Sequence, residues 1–299
     1  MDFELENPPS DGISSLNFSK YSNNLLLATS WDSKARIYDT NANQLIKLFE
    51  HESPLLDGTF VSEKEISLGG LGKQLYIWNI EQEARQIVAT HHEPIKSIEY
   101  NELHKLLVAG SWDRTVSLND QRTKSDTTFV NVSERVYSLD TIDNILVVAS
   151  ANRFVDIFDL RNCQTPMQRR ESSLKHQTRC IKLFPNSEGY VISSIEGRVG
   201  VEFIDESSMN KKYAFKCHRE TVDEVEVVHP VNAICFHPVY GTFATGGSDG
   251  TISVWDRLNK KRIKAWPKYP SSVAALSISA DGCMMAIASS YTFDEGEKE

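Results

Sequence analysis

The chain lacks the features that mark several common classes of protein. An odd number of cysteines without a C-x-x-C pair predicts reduced thiols in the cytosol or nucleus rather than disulfides or a zinc site; the five are Cys163, Cys180, Cys217, Cys235 and Cys283. No apolar run approaches the roughly 18 residues that a membrane span needs. The acidic beginning MDFELENPPSDG has no apolar core of a secretory signal. We therefore expect no disulfide framework, no membrane span and no signal peptide.

Positive charge is also scarce. The chain of 299 residues has 32 Lys and Arg against 41 Asp and Glu, a net charge of −9 with a pI of about 5.5. An acidic chain repels phosphate backbones and anionic membranes, so neither nucleic acid nor membrane is expected as a direct partner. Apolar residues make up 40% of the chain, which is enough for a large core.

Catalytic motifs are missing as well. There is no G-x-S-x-G, no H-E-x-x-H and no set of Cys and His at metal-ligand spacing. The glycine-rich GGSDG (246–250) lies between two predicted strands and does not open a helix, so it does not fit a phosphate-binding loop. We expect no enzyme activity, no cofactor and no metal.

What the sequence does have is a repeat: an apolar strand, a tight polar turn and a second strand that ends in Asp or Asn. The copies span 25–39, 65–79, 105–120, 144–159, 189–205 and 241–256. Their ends, at 39, 79, 120, 159, 205 and 256, are 40, 41, 39, 46 and 51 residues apart. A period of about 40–45 residues with such units is typical of a propeller blade.

Each copy follows another short apolar segment. These segments are 13–19, 55–61, 95–101, 136–142, 178–184 and 231–237, and a seventh, 273–279, leads into 283–291. If the strands of a blade are named a to d from the axis outward, the leading segments are strand a, the repeated phrases are b-turn-c, and the stretches after them are d. The pattern predicts an all-β, seven-bladed WD-repeat β-propeller, formed by residues 1–299 as a single domain.

The last blade is predicted to be incomplete. It has candidates for strands a and b, and FELEN (3–7) can supply its outermost strand, but no segment fits strand c. A truncated chain or imperfect closure of the ring would explain this, and we favour truncation.

Three histidines are predicted to be structural. His51, His92 and His229 precede the ends of their blades by 27, 27 and 26 residues. In WD repeats such a histidine joins the Asp of the b–c turn and a Trp on strand c in a buried hydrogen-bond network. Blade six has the most complete predicted set, His229, Asp249 and Trp255.

The candidate binding residues lie where the b–c turns and the d–a connections meet on one side of a propeller. Trp31 and Trp112 occupy b–c turns, where small polar residues are usual. They would be either structural cover or exposed aromatic anchors of an interface, and their repetition favours the second. Arg198, Lys216 and Arg219 are predicted to share that face and to suit a partner with carboxylates or phosphate. The runs at 169–170 and 260–262 are expected to be solvated loop residues.

The sequence resembles the Bub-type mitotic checkpoint propellers along nearly its whole length. The similarity is carried by NPPSDGISSLNFS (7–19), TSWDSKARIYD (29–39), GSWDRTVSLNDQRT (110–123), RRESSLKHQTRC (169–180), GYVISSIEGRVGVEF (189–203), YAFKCHR (213–219) and ATGGSDG (244–250). The next nearest family is the messenger-RNA export propeller of nuclear pores, which shares the GRV, FKCHR and GSDG phrases.

The resemblance implies a non-enzymatic adaptor that acts in the nucleus and at kinetochores in mitosis. Such relatives bind a short acidic linear motif of checkpoint kinases, the GLEBS motif, and beside it a phosphothreonine of kinetochore scaffold repeats. By position, Trp31, Trp112 and Arg198 match motif-binding residues, and Lys216 matches a phosphate-contacting residue. A further basic position of some relatives is absent near HPVY (237–240).

Two other functions stay open. One is an export adaptor that also contacts RNA, against which the net charge counts. The other is a substrate receptor of a ubiquitin ligase, for which NDQR (119–122) and FDLR (158–161) resemble the W-D-x-R motif only weakly.

Overall fold

The computed structural model describes residues 2–123, 127–294 and 296. In them, 28 β-strands form six four-stranded antiparallel sheets, here called blades one to six, a two-stranded sheet and a separate hairpin. The only helices in these residues are two short 3-10 segments, Ala151–Arg153 and Glu206–Lys211. Across the same ranges, no helix has the length and apolar character to cross a membrane.

The strands of the first three blades follow the predicted segments closely. Blade one contains β1 (Ile13–Phe18), β2 (Leu25–Ser30), β3 (Lys34–Asp39) and β4 (Gln44–Glu50). Blade two contains β5 (Leu55–Phe60), β6 (Glu65–Gly70), β7 (Gln74–Asn79) and β8 (Arg85–Thr90). Blade three contains β9 (Ile95–Asn101), β10 (Leu106–Ser111), β11 (Thr115–Asp120) and β12 (Thr127–Asn131).

The later blades have the same order. Blade four contains β13 (Val136–Ile142), β14 (Ile145–Ser150), β15 (Phe154–Asp159) and β16 (Gln168–Glu171). Blade five contains β17 (Thr178–Leu183), β18 (Gly189–Ser194), β19 (Arg198–Phe203) and β20 (Tyr213–Lys216). A hairpin of β21 (Arg219–Val222) and β22 (Val225–Val228) then precedes blade six, which contains β23 (Val231–Phe236), β24 (Phe243–Gly247), β25 (Ile252–Asp256) and β26 (Lys261–Ala265).

A two-stranded sheet lies between blade six and blade one. Its strands are β27 (Val273–Ile278) and β28 (Met285–Ser289). The inner strand β27 contacts both β23 of blade six and β1 of blade one. The inner strands therefore form a closed circle of neighbours, with six complete blades in the ring. The sheet of β27 and β28 has fewer strands than its neighbours, as expected for the last position.

The predicted strand at FELEN (3–7) is wrong. The segment is irregular. The side chain of Asn43 bonds to its backbone: Nδ2 donates to Glu4 O (3.1 Å), and Oδ1 accepts from Glu6 N (3.2 Å). Leu5 packs into the cluster of Phe18 and Leu26 together with Met284 and Ala286. Among the described residues this segment has no strand partner, and it covers the junction between blade one and the two-stranded sheet through side chains.

Adjacent blades pack through a small residue on each strand b. Ideal Cβ atoms added to Gly69, Gly110 and Gly246 would lie 2.9, 2.6 and 2.3 Å from the side chains of Ile98, Val136 and Val273, which belong to the inner strand of the next blade. The corresponding residues of the other blades are the small or short Thr29, Ala149 and Ser193, all fully buried. The inner strand of one blade can therefore approach strand b of the preceding blade closely.

Side chains of the inner strands also bond to the backbone of the next blade. Ser97 Oγ accepts from Leu139 N (3.1 Å), Ser138 Oγ from Ile181 N (3.1 Å), and Asp57 from Ile98 N (2.7 Å). Ser277 Oγ of β27 accepts from Phe18 N of blade one at 2.9 Å, which continues the same connection across the closing junction.

The b–c turns share one backbone geometry. In every four-stranded blade a residue one or two positions before strand c has a positive φ: Ser33 (64°), Lys73 (66°), Arg114 (66°), Arg153 (67°), Gly197 (60°) and Gly250 (76°). Four of these six residues carry a side chain in a region that favours glycine. Since the strands alternate in direction, all b–c turns and d–a connections lie on one side of the ring, which we call the b–c face.

Candidate functional site

Buried histidine networks exist in blades three and six, but none of the three predicted histidines belongs to one. In blade six, His218 rather than His229 bonds to Asp249, with Nδ1 to Oδ1 at 3.0 Å, and its Nε2 lies 2.9 Å from Thr245 Oγ1. The indole Nε1 of Trp255 donates to the same hydroxyl at 2.9 Å, so this residue belongs to the network as predicted. His229 instead lies 3.0 Å from Glu220 on the hairpin.

Blade three has the same network, but its histidine is the residue just before the predicted one. His91 is buried against Asp113 (3.2 Å), Thr115 (3.0 Å) and Ser117 (3.1 Å), whereas His92 is exposed. Among the described residues, the His51 side chain bonds only to Ser53. The physical reason in blade six is an insertion: His218 and Asp249 are 31 residues apart, against 22 for His91 and Asp113. The β21–β22 hairpin fills that difference, so a fixed spacing selects the wrong histidine.

The charges of these networks are fixed by their surroundings. Burial raises the pKa of the Asp249 carboxyl, but hydrogen bonds from His218 and Thr251 outweigh it and lower that pKa to about 2. Burial lowers the pKa of His91 in spite of Asp113 nearby, so this imidazole is neutral at neutral pH. These carboxylates and imidazoles hold the b–c turns through their hydrogen bonds and are not available for acid–base chemistry.

Both tryptophans are held in their turns by the backbone. Trp31 N donates to Gly12 O and Trp112 N to Pro94 O, each at 2.9 Å. The Trp31 side chain stays exposed, at 44%, on the b–c face. Trp112 is half-buried, and its indole Nε1 is buried without an acceptor among the described residues.

The structure brings the three predicted cations together. Arg198 opens β19 and is the register partner of Lys216, which ends β20. Arg219 donates from Nε to Gly197 O (3.1 Å) and from Nη2 to Glu196 O (2.6 Å), so it clamps the b–c turn of blade five. The Arg219 side chain is only 14% exposed, against 36% for Arg198 and 53% for Lys216. Arg198 and Lys216 are thus the accessible pair, and Arg219 positions the turn beside them.

The described contacts do not join this group to the tryptophans directly. Trp31 belongs to blade one and Trp112 to blade three, while the cations belong to blade five and the connection after it. Strand direction puts all five residues on the b–c face, spread around the ring.

The structure adds Arg179 to that face, a residue that sequence analysis did not single out. It follows the first residue of β17, and its guanidinium bonds to Asp294, which also accepts from Ser248 in the b–c turn of blade six. The sequence signal that could have identified Arg179 is a basic residue at the beginning of an inner strand. Each accessible cation therefore has an internal carboxylate: Glu196 for Arg198 (3.6 Å), Glu226 for Lys216 (3.2 Å) and Asp294 for Arg179.

The basic runs predicted as solvated loops are mostly strand residues. Arg169 and Arg170 lie in β16, where Arg169 bonds to the buried Asp156 (2.7 Å) and Arg170 to the carbonyls of Phe203 and Ile204 (2.6 Å each). Lys261 and Arg262 begin β26 and are exposed. Arg122 and Arg161 each bond to the aspartate two residues earlier, at 2.5 Å, which gives these W-D-x-R-like residues a local role.

Within the described ranges, no group of three or more His, Cys, Asp or Glu side chains is arranged to hold a metal ion. The cysteines described as buried, Cys217 and Cys235, have pKa values raised to about 12 by burial, which leaves them as unreactive thiols. The b–c face remains as the feature with exposed aromatic and paired basic side chains.

Fold and repeat define the class of this protein as a WD-repeat β-propeller. The family model of the WD domain, G-beta repeat, matches residues 3–39, 84–120 and 213–256. The chain is 48% identical to the mitotic checkpoint protein BUB3.1 of Arabidopsis thaliana, over 99% of this chain and 88% of that protein. It is 42% identical to the mitotic checkpoint protein bub3 of Dictyostelium discoideum, over 99% and 91%. The mRNA export factor GLE2 of Chaetomium thermophilum is 36% identical, over 99% and 85%.

Within that class, the chain belongs to the Bub3 family of mitotic checkpoint propellers, with the Gle2-type export propellers as the next related group.

Proposed function

We propose that this protein is a non-enzymatic adaptor of the mitotic spindle assembly checkpoint. It acts in the nucleus and at kinetochores, where its b–c face binds an acidic linear motif of checkpoint kinases and a phosphothreonine of kinetochore scaffold repeats. The observation that carries the proposal is the side-by-side placement of Arg198 and Lys216 on the face that also exposes Trp31. The names of its relatives, mitotic checkpoint proteins of three organisms, support the same role.

The two ligands are assigned to different side chains by their chemistry. An exposed indole offers apolar area to a peptide, and an arginine binds a carboxylate through two parallel hydrogen bonds. Trp31, Trp112 and Arg198 therefore serve the kinase motif. The ammonium of Lys216 is a point charge and suits a phosphate, with Arg219 beside it as a second cation.

We also propose that residues 1–299 form one domain with seven blades. The sheet of β27 and β28 occupies the position of a blade, since β27 contacts β1 and β23 as the other inner strands contact their neighbours. Its two strands correspond to strands a and b.

The test is calorimetric titration of the variants Trp31→Ala, Arg198→Ala and Lys216→Ala with a GLEBS-motif peptide and with a phosphothreonine peptide of the scaffold. Trp31→Ala should weaken the kinase peptide by about 2 kcal/mol if the indole is a hot spot. Arg198→Ala should cost about 2–5 kcal/mol, because its partner carboxylate would be left buried and unpaired.

Lys216→Ala should weaken the phosphopeptide and leave the kinase peptide unchanged. Arg161→Ala is the control, since this arginine pairs with Asp159 at the other end of its blade. Equal losses of both ligands in every variant would indicate one undivided site. Unchanged binding in all of them would mean that the wrong face was chosen.

An export adaptor is the alternative function. The observation in its favour is the 36% identity to mRNA export proteins over 99% of the chain. Direct RNA binding is disfavoured by the net charge of −9. Mass spectrometry of proteins recovered with this chain from mitotic cells distinguishes the two, because the checkpoint role requires kinases and the export role requires pore proteins.

A further inference from the structure

The β21–β22 hairpin stands apart from the blades. Within the part of the chain that the structure describes, its strands pair only with each other, from Arg219 opposite Val228 to Val222 opposite Val225. The two turn residues, Asp223 and Glu224, have φ values of 48° and 64°, the left-handed geometry of a two-residue hairpin turn. The hairpin is acidic and directly follows the basic residues of blade five.

The strand pairing of the hairpin places one carboxylate beside those basic residues. Glu226 lies opposite Thr221, on the same face of the hairpin as Arg219. Its Oε1 is 3.2 Å from Lys216 Nζ, and its Oε2 accepts from Arg219 Nη1 at 2.8 Å. One carboxylate thus occupies the space between the two cations, where an anionic group of a partner would make the same contacts.

The occupying carboxylate is ionised and easily displaced. The hydrogen bond from Lys216 and the charge of Arg219 lower the pKa of Glu226. The side chains of Glu226 and Lys216 are each about half exposed, at 50% and 53%. Ion pairs in such settings bias an equilibrium by no more than about fivefold, because water and salt screen them.

We propose that Glu226 is an intramolecular competitor for the anionic group that binds at Lys216 and Arg219. A phosphate monoester displaces it, because the phosphate carries a charge of about −1.5 to −2 and three acceptor oxygens against one charge and two oxygens of the carboxylate. An unphosphorylated peptide has nothing to offer the two cations and leaves Glu226 in place. This inference rests on the proposed function, since it concerns the phosphate-binding part of the same face.

The experiment compares Glu226→Gln with Glu224→Gln. Glu224 lies two residues earlier in the same hairpin, and among the described residues it makes no hydrogen bond or ion pair, so both variants lose one negative charge but only one frees the cations. The probe is a fluorescein-labelled nine-residue peptide with a single phosphothreonine flanked by uncharged residues, with its unphosphorylated form in parallel. Binding is followed by fluorescence anisotropy.

We expect Glu226→Gln to tighten binding of the phosphopeptide by about two- to fivefold relative to Glu224→Gln, with no change for the unphosphorylated form. The double variant Lys216→Ala with Glu226→Gln should lose most of the gain. Equal affinities of the two single variants would overturn the competitor role, and so would weaker binding by Glu226→Gln, which would make this residue an orienting partner of the cations.

Failure of the proposed function gives a different pattern. If the wild-type protein and Glu226→Gln both fail to bind the phosphopeptide, the phosphate site is wrong and the competitor role falls with it. If Lys216→Ala weakens binding while Glu226→Gln matches Glu224→Gln, the phosphate site stands and only the competitor role is overturned. Thermal unfolding of each variant excludes loss of the fold as the cause.

Discussion

At the scale of single residues, the buried Asp–His pairs fix the b–c turns that present the candidate site. Asp249 accepts from Thr251 N (3.0 Å) and contacts His218, so one carboxylate joins the turn of blade six to the connection that precedes its inner strand. Asp113 has the same role for His91 and Thr115 in blade three. Blade one uses another pair, Asp32 with the buried Arg36 at 2.8 Å.

Asp249 is expected to stabilise the fold in a pH-dependent way. Its folded pKa of about 2 lies below the ordinary 3.8, so its contribution is fully present above pH 4 and is lost as the pH falls towards 2. This shift corresponds to about 2 kcal/mol. Asp249→Asn should lower the free energy of unfolding by about that amount at pH 7 and by about half as much at pH 3, as measured by urea unfolding.

Asp223→Asn is the control for this measurement. Asp223 is exposed in the hairpin turn, and asparagine tolerates its positive φ of 48° well. Its unfolding free energy should stay close to that of the wild type at both pH values. A gap between Asp249→Asn and the wild type that is as large at pH 3 as at pH 7 would show that the carboxylate charge is not the source of the stability.

The histidines also show where reasoning from sequence fails. Trp255, Asp249 and the strands around them were predicted correctly, but the partner histidine was chosen by a fixed distance along the chain. That distance holds only while the connection between blades keeps its length. The hydrogen-bond network depends on proximity in space, which an inserted hairpin leaves intact while changing the count.

At the scale of strands and blades, the packing of one blade on the next requires a small side chain on strand b. A Cβ at Gly246 would lie 2.3 Å from Val273 Cγ1 and 3.2 Å from Leu276 Cδ1, both in β27. Gly246→Ala should therefore push β24 away from β27 and cost about 1–3 kcal/mol, the usual range for overpacking. Chemical unfolding monitored by tryptophan fluorescence measures the loss.

Gly200→Ala is the matched comparison on strand c of blade five. Its added Cβ would approach Ile192 Cγ2 and Ser173 Oγ at 3.2 and 3.3 Å, contacts that small side-chain shifts can relieve. We expect a clearly smaller loss than for Gly246→Ala. Equal losses of unfolding free energy would mean that the contact between β24 and β27 at Gly246 is no tighter than the surroundings of Gly200.

Strand positions were predictable because each blade repeats the same alternation of apolar and polar residues between tight turns. Predicted segments 95–101 and 136–142 coincide with β9 and β13, and 13–19 differs from β1 by one residue. The β21–β22 hairpin was missed because it has no counterpart in the other blades. The strand at 3–7 was predicted from the expected topology alone, whereas side chains of neighbouring elements satisfy this segment.

At the scale of the whole molecule, the ring closes through β27 with the same kind of bond that joins the other inner strands. Ser277 Oγ accepts from Phe18 N (2.9 Å), as Ser97 Oγ accepts from Leu139 N (3.1 Å) inside the ring. Removing either hydroxyl leaves a backbone N–H without its acceptor, which costs about 1–3 kcal/mol when buried. Ser277→Ala and Ser97→Ala should therefore destabilise the protein by similar amounts in thermal unfolding.

The comparison of these two variants tests closure directly. If the junction between β27 and β1 opens in solution, Ser277→Ala will leave the unfolding temperature unchanged while Ser97→Ala lowers it. Hydrogen exchange of the Phe18 amide in the wild-type protein gives an independent measure, since a closed junction should protect it as well as the Leu139 amide.

The candidate site is a property of the whole ring and was predictable only in part. The five residues were found from their repeat positions and from the family resemblance, and strand direction puts them on one face. The internal partners Glu196 and Glu226 lie two and ten residues from Arg198 and Lys216. No local pattern, by contrast, connects the added Arg179 with Asp294 across 115 residues. Such contacts are decided by the folded ring.

The left-handed turn residues give this face an unusual freedom for protein engineering. Ser33, Lys73, Arg114 and Arg153 hold conformations that cost a residue with a Cβ about 1 kcal/mol each, and glycine takes the same place in blades five and six. Glycine at Ser33, whose side chain makes no hydrogen bond among the described residues, would relieve the backbone and remove one side chain from the surface. At Lys73 and Arg153 it would also remove hydrogen bonds to His92 O (2.8 Å) and Leu174 O (3.2 Å). The protein could thus serve as a scaffold on which new recognition loops are grafted blade by blade, with the b–c turn of blade one as the first position.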